Sequence, residues 1–114
     1  MSAYEIPNLR FSAEAGGVVA IRRFVTINAT EQGIQAGANA QVVGASMNQT
    51  KAGEVLEIAD GIVMVEAATA LAAGISVASD ANGKAIATPA STGVHAGRTI
   101  TAAKAAGELV SVKI

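Results

Sequence analysis

One succession of short β-forming runs and glycine turns occurs twice in this chain, and that order constrains the fold more than any single motif. In the first pass Phe24-Val25-Thr26-Ile27 reads as a strand and Glu31-Gln32-Gly33 as a turn. Gln41-Val42-Val43-Gly44 follows, and Lys51-Ala52-Gly53-Glu54 launches Val55-Leu56-Glu57-Ile58. In the second, Ile75-Ser76-Val77 precedes the turn Asp80-Ala81-Asn82-Gly83. Val94-His95-Ala96-Gly97 comes next, and Ala105-Ala106-Gly107-Glu108 launches Leu109-Val110-Ser111-Val112. The glycines align in order: Gly33 with Gly83, Gly44 with Gly97, Gly53 with Gly107. Glycines placed independently, merely to supply positive φ at turns, would give the same positions without common ancestry. The repeated Ala-Gly-Glu-apolar step at 52–55 and 106–109 is what chance explains least. The pattern predicts a mainly β domain, a small barrel or tulip-like sheet made from two similar halves.

At 114 residues the chain has the length of one domain. Its apolar content is unusual in kind: 51% of residues are hydrophobic, only 3% are aromatic, and 26 are alanine. Each alanine buries little area at about 25 cal/mol per Å², so such a core is thin. A domain of this kind is expected to be modestly stable alone and to gain from burying further surface in an assembly. The net charge of −1 is spread along the chain, with no basic patch to hold a phosphate backbone and no aromatic platform to stack bases. Both facts argue against nucleic-acid binding. Without cysteine there is no disulfide framework and no thiolate zinc site. No apolar run approaches the roughly 20 residues that span a bilayer, and the N-terminus lacks the charged and apolar regions of a signal peptide. The expectation is a soluble protein made in the cytoplasm, with no membrane partner.

Residues 1–15 stand apart from residues 16–114, the β-rich body. The first segment has no sustained periodicity and carries Pro7, whose neighbours are biased to extended backbone, so it reads as an extended arm. It also holds Tyr4 and Phe11, two of the three aromatic residues; the third, Phe24, lies in a β-branched run and is expected in the core. From Gly16 onward, Val18–Ile21 and Phe24–Ile27 read as strands. Two hairpin signals follow. Asp60-Gly61 stands between Val55–Ile58 and Gly61–Val65, and Asn82-Gly83, read as a type I′ turn, stands between Ile75–Ala78 and Lys84–Thr88. The Ala-rich stretches Val65–Ala73 and Thr99–Ala106 are turns or at most short helices capped by Gly74 and Gly107. Segments 36–40 and 88–92 read as loops, and the alternating end of the chain, Leu109 to Ile114, as a paired strand.

The chemistry of catalysis is missing from the sequence. His95 is the single histidine, which removes two-histidine metal sites, and on a strand near Gly97 it reads as structural. No serine lies in a nucleophile elbow. Glu54 and Glu57, three apart on a strand, point to opposite faces, which does not suit paired acid–base work. Gly16-Gly17 precedes a strand and not a helix, so it is no phosphate loop. Lys84 sits on a hairpin as biotinyl and lipoyl lysines do, but its neighbours are Gly83 and Ala85, without the flanking methionines or acidic residue those modifications use. These residues predict no enzyme, no cofactor and no metal.

Taken in order, Val43-Gly44-Ala45, Lys51-Ala52-Gly53-Glu54-Val55, Ile58-Ala59-Asp60-Gly61-Ile62-Val63-Met64-Val65 and Ala73-Gly74-Ile75-Ser76-Val77 form a pattern. It continues through Asp80-Ala81-Asn82-Gly83-Lys84 and Ala96-Gly97-Arg98 to Ala106-Gly107-Glu108-Leu109-Val110-Ser111-Val112. Over about residues 42–114 the chain resembles the small Ala/Gly/Val-rich decoration, or cement, proteins of tailed-bacteriophage capsids. That resemblance implies a β-rich protein on the exterior of the mature head, bound where major capsid proteins meet. It further implies self-association, commonly as a homotrimer with dimers also known, and no catalytic residues. Residues 1–40 match it less well. In such a role Tyr4, Ile6, Pro7, Leu9 and Phe11 of the arm are the candidate partner interface, offering apolar surface or an added strand to a capsid sheet edge. An arm folded back on its own domain, or disordered, is the competing expectation. An alternative role is a displayed domain that binds a host surface or carbohydrate, for which the body has few aromatic faces.

Overall fold

The computed structural model describes residues 3–89 and 94–114, so the loop expected over 88–92 lies largely outside the described residues. Among the described residues nine strands form one sheet: β1 (Ile6–Glu14), β2 (Phe24–Ile27), β3 (Gly33–Gln35), β4 (Gly44–Ser46), β5 (Val55–Glu66), β6 (Ser76–Ser79), β7 (Ala85–Ala87), β8 (Gly97–Thr99) and β9 (Leu109–Lys113). Every pairing between named strands is antiparallel, and no helix occurs among the described residues. The mainly β expectation holds.

Pairing follows one scheme twice. β2 pairs with β3 and β4, and β4 with β5; β6 pairs with β7 and β8, and β8 with β9. The turns correspond as well. Asn28 N donates to Gln32 O at 2.9 Å while the Asn28 side chain accepts from the N–H groups of Thr30 and Gln32. Asp80 N donates to Lys84 O at 2.8 Å while its carboxylate accepts from Asn82 and Lys84. These are Asx-stabilised turns whose fourth residue is left-handed: Glu31 with φ 66° in the first and Gly83 with φ 75° in the second. Asn82 is not left-handed, so the second turn is not type I′. The residue matching Gly83 is Glu31, and Gly33 instead pairs with Ile27 as Ala85 pairs with Ser79.

Two further readings change and one narrows to its non-helical alternative. Val18–Ile21 makes no strand: Val19 alone bridges to Thr50, and Val18 and Ile21 remain exposed. The Ala-rich stretches are not helical, because their N–H groups bond across the chain and not back along it. Ala67 N reaches Glu108 O, Ala68 N reaches Ala85 O, and Leu71 and Ala103 exchange both bonds at 2.9 Å. The small buried side chains of Ala67 and Ala103 let these backbones approach closely. Lastly, Asp60-Gly61 is no turn, and β5 runs through it for 12 residues. Gly61 adopts φ 94° opposite a register shift, where Pro7 faces Gly61 and Leu9 faces Asp60, leaving Asn8 unpaired as a bulge. A glycine after an aspartate serves a bulge as readily as a hairpin.

The sheet curls until its far parts meet. Phe24 N donates to Gly83 O at 2.8 Å, Asn39 N to Ser79 O at 2.9 Å, and Arg23 Nη1 to Asn82 O at 3.1 Å. A side chain at position 83 would collide with Gln35, Phe24 and Arg23, so glycine there serves the closure as well as the turn. Inside the curl a core forms from Phe24, Ala45, Ala59, Val63, Val65, Val77, Val110 and Val112, with Ala36, Ala67, Leu71, Ala85, Ala96 and Ala103 filling between them. Phe24 is fully buried, as expected. A second, smaller cluster of Ala15, Val19, Val25, Leu56 and Ile58 lies under β1.

Candidate functional site: the N-terminal strand and its seat on β5

The arm residues lie along the protein's own β5. β1 pairs with it from Glu14 opposite Val55 to Ile6 opposite Ile62. Ile62 is also paired with Lys113, so β1 holds one edge of β5 while β4 and β9 hold the other. Before β1, the backbone of Tyr4 is held at both ends by a buried serine: Tyr4 N donates to Ser111 Oγ, and Ser111 Oγ–H donates to Tyr4 O, each at 2.6 Å. Glu5 pairs with Arg22 and accepts from Met64 N at 3.4 Å. Farther along, Ser12 Oγ donates to Glu57 at 2.8 Å.

The five candidate interface residues therefore divide. Phe11 is half-buried and packs, with Ala13, on the cluster of Leu56 and Ile58. Ile6 and Leu9 are 62% and 54% exposed, Pro7 is exposed, and Tyr4 is 36% exposed while its backbone is tied to Ser111. The extended conformation agrees with the bias that Pro7 imposes on the residue before it. Ser111, Arg22 and Met64 anchor the segment, and the opposite charges of Glu5 and Arg22 are the one sign of this in the sequence. Val18, Ile21 and Val55 are further large apolar residues left in solvent.

A second polar cluster fastens the curl. Glu66, at the end of β5, takes Arg23 Nη2 at 3.2 Å and Lys84 Nζ at 3.1 Å. Burial alone would raise the Glu66 pKa, but hydrogen bonds from Lys84 and Arg23, with their charges, outweigh it and hold the carboxyl below its ordinary value of 4.5. Lys84 is therefore part of a closing ion pair. His95 is exposed just before β8, and Glu54 and Glu57 are occupied with Lys51 N and Ser12. Among the described residues no three His, Asp or Glu side chains gather where they could hold a metal ion.

Apolar side chains left in solvent along one strand are the conspicuous feature of this curled all-β body. The family model for phage cement proteins matches residues 5–114, and the chain belongs to the phage cement protein family. It is a structural protein of the phage head. The fold is similar to that in the crystal structure of the head fiber gp8.5 N base of bacteriophage phi29, with a TM-score of 0.75. That likeness covers 93% of this chain and 92% of the other at 18% identity, and at that identity it speaks for the fold. No curated protein sequence matches this one.

Proposed function

We propose that the protein binds the outer surface of the mature phage head and bridges major capsid protein subunits, stabilising the shell. Membership of the cement family over nearly the whole chain is the observation that carries this reading. In it the protein is made in the host cytoplasm, resides on the capsid exterior and has no catalytic role. It associates with itself, as a homotrimer or alternatively a dimer. A thin Ala- and Val-rich core, with Val18, Val55, Ile6 and Leu9 left in solvent, suits a protein that completes its burial in an assembly. Contacts of modest strength suffice because they repeat over many symmetric positions.

Residues 1–15 act in this account as an arm and residues 16–114 as the body. We further take the body to be two similar halves of common origin. The paired turns at Asn28 and Asp80 support this, as do the bridges Ala15–Gly33 and Ala67–Ala85, both parallel, and Val19–Thr50 and Leu71–Ala103, both antiparallel.

The outward side of the arm, Tyr4, Ile6, Pro7 and Leu9, is the proposed capsid contact; Phe11 contributes by seating the strand. The test is cosedimentation of the purified protein with expanded, undecorated heads. Ile6→Ser with Leu9→Ser should weaken binding roughly 10- to 100-fold, as loss of interface anchors does. Because both side chains are exposed, the melting temperature should stay unchanged. Undiminished binding would place the contact elsewhere, and absence of binding by the unaltered protein would end the cement reading.

A further inference from the structure

We infer that β1 is exchanged between copies, so that the arm of one chain lies on the β5 of the next. The inference rests on the self-association proposed above and names the surface that performs it. β1 lies off the main sheet path: it pairs with β5 alone, and the other eight strands remain linked without it. Few of its side chains are buried, since Ile6 to Arg10 are all exposed and only Phe11 and Ala13 reach the small cluster beneath. It is attached mainly through backbone pairing, a type of contact that is regenerated in full when an identical strand from another copy takes the place.

The seat is built for this particular segment, which is why a second copy fits it better than an unrelated strand. Gly61 makes room for the Asn8 bulge, where any side chain would meet Asn8 N at 2.5 Å and Asn8 Cβ at 2.9 Å. Ser111 holds the Tyr4 backbone twice, Arg22 takes Glu5, and Glu57 takes Ser12. The natural joint is Gly17, since Gly16 N is bonded to Gly33 O at 2.9 Å and a side chain at Gly16 would meet Ile34 Cγ2 at 2.9 Å. Ala15 travels with β1, because its N–H and C=O are bonded to Glu54 and Gly53 at the start of β5, whereas Val19 is fixed to the body through Thr50. At Gly17 the folded chain requires no glycine. Its φ is not positive, and a side chain there would meet nothing within 4 Å. A residue that packing and backbone do not demand, placed between two anchored points, is suited to changing conformation.

The absence of native cysteine allows a clean test. Ser12→Cys and Glu57→Cys would be made in separate chains, co-expressed and oxidised, with the double variant S12C/E57C alongside. Positions 12 and 57 face each other across β1 and β5. In the exchanged assembly the two single variants form a disulfide between chains. A band then shifts to two-chain mobility in non-reducing electrophoresis, with a linked 12–57 peptide by mass spectrometry. If the single variants never cross-link while the double variant closes entirely within one chain of an oligomer, the exchange is refuted and the oligomer stands. If light scattering finds only monomer at every concentration, in solution and on release from heads, self-association fails and the exchange with it. A capsid strand on β5 would show itself, on decorated heads, as cross-linking to the major capsid protein of a photoreactive maleimide attached to E57C, which also refutes the exchange.

Discussion

Replacing Gly61 by alanine tests the relation between β5 and the arm at a single atom. The residue holds φ 94°, and a methyl group there would lie 2.5 Å from Asn8 N, 2.9 Å from Asn8 Cβ and 3.0 Å from Ile6 O. Two of those three atoms are backbone, so no rotamer change relieves the clash. The left-handed conformation costs an alanine about 1–2 kcal/mol, and overpacking adds about 1–3, so Gly61→Ala should lose about 2–5 kcal/mol. For a domain of this size that lowers Tm by roughly 8–20 °C. The loss is limited by the cost of lifting β1 away, which gives the experiment a second readout. Chemical denaturation supplies the free energy, and amide exchange compares Ile6–Glu14 with Leu109–Lys113. Faster exchange in the first segment with protection retained in the second is the expected result. A variant within 0.5 kcal/mol of the parent, with β1 protection unchanged, would refute the bulge and the seating of the arm on it.

Other perturbations separate the remaining contacts. Leu56→Ala, in the fully buried cluster under β1, should cost about 2–5 kcal/mol in denaturant titrations; a cost well under that range would show the cluster to be loosely packed. Ser111→Ala removes both bonds to Tyr4 and should cost about 1–3 kcal/mol. It should also accelerate amide exchange at Tyr4, and unaltered exchange there would count against the anchor. The Glu66 pKa is lower folded than unfolded, so its contribution is present above the ordinary value of 4.5 and is lost as pH falls through the lower folded value. The stability difference between the parent and Glu66→Gln should therefore shrink from neutral pH into acid. A difference independent of pH would contradict the ion-pair account.

The features legible in the sequence are those set by local chemistry. Phe24-Val25-Thr26-Ile27 and the alternating end of the chain announce strands through branched side chains, and Asp80 to Gly83 announces a turn through its Asx residue and glycine. What local sequence hides depends on distant partners. Asp60-Gly61 carries the signal of a hairpin, and only the strand passing over it, with Asn8 displaced, makes it a bulge. Glu31 hides a left-handed turn position because the Asn28 side chain supports it, so aligning glycines alone shifted the match to Gly33. Val18 and Ile21 have strand composition but no strand beside them. The site was legible only as a composition shift over residues 1–15. Its seat uses Ser111, Arg22 and Met64, residues far away in the chain with nothing unusual in their own neighbourhoods.

The central claim is that this protein is a repeated component of the head exterior, and quantitative protein composition of purified virions tests it most directly. The account predicts a copy number in simple ratio to the major capsid protein, with the protein removable from intact heads under conditions that leave the shell closed. Absence from the virion, or presence in only a few copies per particle, would contradict it.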